Sequence, residues 1–195
     1  MNAPHSMSEQ VRNHAELLSR DGPDCITGLI DLTSDRLIRL AIAVTGNQHD
    51  AEDVVQEVLV RVAQKPQALE AADDSWAYLL AMVRNEALAA TRRKQRHQLF
   101  ASLSDLVTQC RVDDQDREDQ FRQVWRAMKC LPSAQSEVVV LRIWEGMTFP
   151  QIATILAISK DTAASRFRYA MQKLENALRP SWDDTPVITQ GDRRS

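Results

Sequence analysis

The stretch TFPQIATILAISKDTAASRFRYAMQKL, residues 148–174, leaves the chain little choice of fold. Thr148 is placed as an N-cap with Gln151 as its capping-box partner, and Pro150 falls in the first turn, where no intrahelical donor is lost. Ile152, Ala153, Ile155 and Leu156 give the short helix that follows one apolar face. The pattern breaks at Ala157, Ile158 and Ser159, and a longer helix opens from Ser159 or Asp161. In it Phe167, Ala170, Met171 and Leu174 recur at helical spacing and are expected inward, which leaves Lys160, Ser165, Arg166, Arg168, Tyr169 and Lys173 largely outside. Residues 159–180 carry five basic against two acidic side chains in a chain whose formal net charge is −3. A DNA-reading helix-turn-helix needs this division, because the major groove admits one helix whose outward residues reach base edges while cations meet phosphates. A helical hairpin with a solvated basic face fits the same residues, so the remainder of the chain must decide.

At 195 residues the chain is long enough for one large domain or two small ones. Only 5 glycines, few aromatics and no strand-like alternation favour an all-α protein. The three cysteines, Cys25, Cys110 and Cys130, are far apart and odd in number, which fits reduced thiols in a cytoplasmic protein better than a disulfide framework. No metal-ligand spacing links them to the histidines, and no cofactor box is visible, so neither a metal nor a cofactor is expected. There is also no apolar run of membrane-spanning length and no signal-peptide pattern.

In chain order, residues 1–22 are polar and read as a mobile N-terminal extension, with at most a short helix over 11–18. A helical domain is expected over 23–97. Within it Leu29, Leu32, Leu37, Leu40, Ala41 and Val44 form one apolar set, closed by Gly46. Asp50 is expected to cap the next helix, whose Ala51, Val54, Val55, Val58, Leu59 and Val62 follow the helical repeat. Its other face carries Glu52, Asp53, Gln56, Glu57 and Arg61. Acids there suit the helix dipole, and they equally suit docking of a basic or polar partner. The acidic connector PQALEAADDS, residues 66–75, leads to a helix through Trp76, Tyr78, Leu79, Met82, Val83 and Ala87. That helix ends in Arg92, Arg93, Lys94 and Arg96, with Arg84 upstream, a patch able to neutralise phosphates. Trp76 and Tyr78 beside these cations could stack on unpaired bases or simply lie in the core.

Residues 98–120 read as an acidic linker, and 121–180 as a second helical domain that ends in the helix-turn-helix. In that domain Phe121, Val124, Trp125, Met128 and Leu131 share a face, and Ser133 is the expected cap of the following helix. Residues 181–195 have no period and read as a disordered tail. The first domain offers no nucleophile with a base, no His/Cys cluster and no glycine-rich phosphate loop, so an enzyme is not expected.

Three ordered stretches, TGNQHDAEDVVQEVLVRV (45–62), YLLAMVRNEALAATRR (78–93) and residues 131–174, resemble a bacterial extracytoplasmic-function sigma factor of the type that keeps only sigma regions 2 and 4. The resemblance implies a protein that binds core RNA polymerase and directs it to promoters. Glu52, Asp53, Gln56 and Glu57 would dock on the beta-prime clamp helices, and the beta flap would be a second contact. Trp76, Tyr78, Arg84, Asn85, Arg92, Arg93 and Arg96 would melt and read the minus 10 element, taking a base into a pocket in the preceding connector. Lys160, Thr162, Ser165, Arg166, Arg168 and Tyr169 would read the minus 35 element, and an anti-sigma factor is a further partner. Ala157 stands where the turn of the family often has Gly, and Ala164 where a basic residue often contacts DNA. The alternative is a free-standing helix-turn-helix regulator, for which the acidic face of the 50–62 helix has no DNA role.

Overall fold

A computed structural model describes residues 6–101 and 119–178, which form helices and turns with no strand among them. The first helix, α1 (Met7–Asp21), opens on a capping box in which Ser6 Oγ accepts from the Glu9 amide and the Glu9 carboxylate accepts from the Ser6 amide. Val11, Ala15 and Leu18 bury its inner stripe, and α1 lies against α4 and α5. Residues 7–21 are thus a packed helix, where a mobile extension was expected. Three apolar residues at 11, 15 and 18 suffice because the rest of the first unit provides the surface they cover.

After a tight turn at Pro23–Cys25, α2 (Ile26–Thr45) ends at Gly46, whose φ of 79° supplies the left-handed stop. In α3 (Gln48–Gln64) all six apolar positions expected inward are buried. Its cap is Asn47, which accepts from the Asp50 amide at 2.8 Å, and not Asp50 itself. Asp50 is one turn further in, where its carboxylate binds Lys94 at 2.7 Å. A short α4 (Gln67–Glu70) and a connector lead to α5 (Ser75–Ala101), which packs across α2 and α3. Asp74 caps it through the Ala77 amide. Because α5 runs to Ala101, the start of the expected linker at 98 is helical. Residues 102–118, with most of the acids of that linker, lie outside the described residues, as does the tail from 179 on.

The second unit comprises α6 (Asp119–Lys129), α7 (Ser133–Val139), α8 (Phe149–Leu156) and α9 (Lys160–Leu178). Pro132 occupies the cap position of α7, and Ser133 is its first helical residue. The helix continues as a wide π-turn over Val140–Trp144, in which the Glu145 amide donates to the Val140 carbonyl at 3.2 Å. A stacked Trp125–Trp144 pair ties α6 to this turn, and an edge-on Phe149–Phe167 pair ties α8 to α9. Ala163, Ala170 and Leu174 are the buried residues of α9, whereas Met171, expected inward, is 39% exposed. The units touch: α7 and its π-turn meet α2, and α8 meets α5. Arg84 to Glu137 at 2.6 Å and Arg36 to Glu145 at 2.7 Å bridge them.

The helix-turn-helix forms as its sequence requires. Thr148 and Gln151 make the reciprocal capping box, and the Ser159 hydroxyl accepts from the Thr162 amide at 3.0 Å at the head of α9. Between the helices Ala157 has φ 51° and ψ 48°, a conformation in which its Cβ is crowded by the backbone. Ala157→Gly is therefore expected to stabilise the second unit by about 1 kcal/mol, read as a higher urea midpoint at unchanged slope.

Candidate nucleic-acid interface

Three separate surfaces carry the candidate residues. On α3, Glu52, Asp53, Gln56 and Glu57 are all exposed, on the side opposite the buried stripe. Asp53 is nearly free, with only His49 at 3.9 Å, and Glu52 accepts from Gln48 at 2.8 Å. Glu57 is committed further, bound to Arg61 and within 4.0 Å of Arg93. Glu52 and Gln56 also line a groove between α2 and α3 whose floor is apolar: Ile26, Ile30, Ile38, Val55, Leu59 and Val60. Sequence reasoning missed this apolar component. The signal was Val60, which lies on the polar face of α3 at four residues from Gln56 and is 50% exposed.

Behind Glu57, the carboxylate of Glu86 on α5 is buried and takes Arg61 and Arg93, each at 2.7 Å. Burial pushes the Glu86 carboxyl up, but the hydrogen bonds from Arg93 and Arg61 outweigh it and hold the group below the usual carboxylate range. A lowered native pKa adds stability that is present above the unfolded-state value and lost as pH falls through the native one. Glu86→Gln is accordingly expected to melt lower than the parent at neutral pH. The gap should close only as pH falls through the lowered native value, below the usual carboxylate range, where the parent's carboxylate is also protonated. A gap independent of pH would show that packing, and not charge, holds α3 to α5.

The second surface is α5. Tyr78, Asn85, Arg92 and Arg96 are exposed. The seven-residue steps from 78 to 85 to 92 keep them close to one line along about 27 Å of helix. Arg93 is exposed as well, although ion-paired, and the other two residues of the set are elsewhere. Trp76 is 4% exposed, with the Arg36 guanidinium over its ring at 5.1 Å, so it is a core residue and presents no stacking platform here. Arg84 is turned to the second unit and bound to Glu137. Arg93 is held by Glu86. Trp76 and Arg84 depart from the expected set because their partners come from other helices, which spacing along α5 does not reveal.

The third surface is α9, which packs on α6, α7 and α8. Lys160 and Arg168 are exposed at four-residue multiples, on the row that also holds Ala164 and Gln172. Tyr169 is 51% exposed, with the Arg168 guanidinium over its ring at 5.4 Å. Thr162, Ser165 and Arg166 are half-buried. The Thr162 hydroxyl is hydrogen-bonded to that of Ser159 at 2.8 Å. Among the described residues no cluster of His, Cys, Asp and Glu could hold a metal, and no helix is long and apolar enough to cross a membrane.

Residues 29–97 match the Sigma-70 region 2 family, and residues 121–174 match Sigma-70, region 4. The ECF RNA polymerase sigma factor SigL of Mycobacterium tuberculosis is 30% identical over 149 residues, covering 73% of this chain and 82% of SigL. SigE of Mycolicibacterium smegmatis, also an ECF RNA polymerase sigma factor, is 29% identical over 157 residues, covering 77% of this chain and 60% of SigE. Among solved structures, the sigma factor RpoE bound to the anti-sigma factor NepR from Bartonella quintana superposes with a TM-score of 0.63 at 22% identity, over 78% of this chain and 96% of that one. CnrH in complex with the cytosolic domain of CnrY gives 0.59 at 20% identity, over 90% and 99%.

Proposed function

Since the chain belongs to the extracytoplasmic-function (ECF) family of RNA polymerase sigma factors, we propose that it binds core RNA polymerase and directs it to promoters whose minus 10 and minus 35 elements its two units read. The observation that carries this reading is the distribution of chemistry over three surfaces. A cationic stripe on α5 and a cationic row on α9 belong to different units, and the α2–α3 groove with its acidic rim is neither. A free-standing helix-turn-helix regulator needs the α9 surface and has no use for the groove.

In this account Glu52, Asp53, Gln56 and Glu57, with the apolar groove beside them, meet the beta-prime clamp helices, and the beta flap meets the second unit. Tyr78, Asn85, Arg92 and Arg96 follow the opened strand of the minus 10 element while the 66–75 connector receives a base taken out of the stack. Arg84 joins them when the units separate. Lys160, Arg168 and Tyr169, flanked by Thr162, Ser165 and Arg166, meet the minus 35 element. Phosphate contacts supply affinity and register, and the few base contacts supply sequence choice. RpoE and CnrH are each seen bound to another protein, and an anti-sigma factor is a proposed partner here too. The protein acts in the cytoplasm with polymerase and has no reaction of its own.

Arg168→Ala tests the assignment of α9. If Arg168 pairs with a base edge, the substitution is expected to cost about 1–3 kcal/mol at promoters that carry the preferred minus 35 base and little at those that lack it. An equal loss on every sequence would move Arg168 to a phosphate contact.

A further inference from the structure

We infer that Arg12, on α1, is a positioning residue for minus 10 recognition: its guanidinium fixes the shape of the connector that receives the flipped base. The inference rests on the reading above that the 66–75 connector is that receiver.

Between α4 and α5, residues 71–74 belong to no helix; the Asp74 carbonyl accepts from the Tyr78 amide at 2.9 Å, while those of Ala72 and Asp73 stand outside the helical ladders. Arg12 supplies their partner from outside. Its Nη2 donates to the Ala72 carbonyl at 2.6 Å and to that of Asp73 at 3.2 Å, and its Nε reaches the Ser75 hydroxyl at 3.4 Å. Ser75 is fully buried and passes the connection across the base of the loop by donating to the Leu69 carbonyl at 2.7 Å. Further along α1, Ser19 bonds to Glu70 of α4. Helix α1 therefore lies along the connector as a splint, attached at both ends of the loop.

The choice of arginine follows from the acceptors. Two carbonyls and a hydroxyl are spread over more than one direction, and a planar fork of five donors reaches them together where a single ammonium does not. While these carbonyls are drawn inward, Ala71 and Asp73 remain exposed on the outer rim, just before α5 and the Tyr78 that heads its stripe. A loop already shaped this way does not have to be ordered as the base enters. Ordering even one loose residue at that moment lowers affinity by about tenfold.

The test uses holoenzyme assembled from the full chain and core polymerase, with Arg12→Met, which retains the apolar stem but has no donor, and Arg12→Lys. Each is measured on promoters altered one position at a time in the minus 10 element, and on a duplex bearing the minus 35 element alone. Arg12→Met is expected to lower open-complex formation by about tenfold and to flatten the response to minus 10 changes, with core binding and minus 35 binding unchanged. Arg12→Lys should restore part of the discrimination. Wild-type discrimination by Arg12→Met would overturn the inference, as would a loss shared equally by the minus 35 duplex and core binding, which marks a merely structural role. Should Arg12→Met melt below the assay temperature, Ser19→Ala, an exposed site at the other end of the splint, is expected to give a smaller loss confined to minus 10. No such loss would again overturn the inference. A wild-type holoenzyme indifferent to the minus 10 sequence would instead overturn the functional reading itself, and this inference with it.

Discussion

Glu137→Ala is expected to weaken the association of the two units by about 3 kcal/mol. Glu137 is 2% exposed, and its carboxylate meets Arg84 across the interface at 2.6 Å, with the arginine side chain only 15% exposed. Removing one member of a buried pair leaves the other charge without hydration or a counter-charge, which is worse than removing both. The lower end of the usual range applies because Arg84 has another way to recover its hydration: the units can part. The loss should therefore appear as opening and not as unfolding. Small-angle scattering is expected to show a larger radius while the helical signal holds, the open form also giving up the Arg36–Glu145 bridge. Replacing both residues by methionine should restore the compact form. If Glu137→Ala leaves the radius and the melting curve as they were, the pair does not hold the units together.

Reversing charge on α3 is expected to have the larger functional effect. Asp53→Lys with Glu57→Lys should reduce affinity for core polymerase by at least about 100-fold, since like charges set against one another across an interface cost several kcal/mol. The two sites are not equivalent. The Asp53 side chain is 66% exposed with only a distant histidine beside it, so its reversal tests docking almost alone. Glu57 also neutralises Arg61 and neighbours Arg93, so its reversal gathers like charge around the buried Glu86 as well. The single Asp53→Lys variant should therefore retain parental stability and show much of the binding loss. Full core binding by the double variant, with helical content intact, would remove α3 from the docking surface.

What could be read from the residues was local. The six buried positions of α3 follow from the 3.6-residue period, and the Thr148–Gln151 capping box and the break between α8 and α9 at Ala157 follow from the chemistry of short spacings. What could not be read depends on partners distant in sequence. Arg84 and Arg92 look alike along α5, yet one is claimed by a carboxylate 53 residues away and the other is left to solvent. Trp76 could have been a platform or a core residue on sequence grounds, and the packing of α5 across α2 decides for the core. Helix α1 was underestimated for the same reason: its three apolar residues carry little signal alone, and the surface that buries them is built by α4 and α5. The apolar floor of the α2–α3 groove is likewise assembled from two helices, and only the misplaced Val60 hinted at it.

The central claim is that this chain confers promoter choice on polymerase. Run-off transcription of a genomic-fragment library by purified core polymerase, with and without the protein, followed by sequencing of the transcript starts, tests it most directly. The account predicts starts that appear only when the protein is present and that share a two-part upstream motif. If no such starts appear, and the protein instead shifts DNA without polymerase, the account is contradicted and the free-standing regulator takes its place.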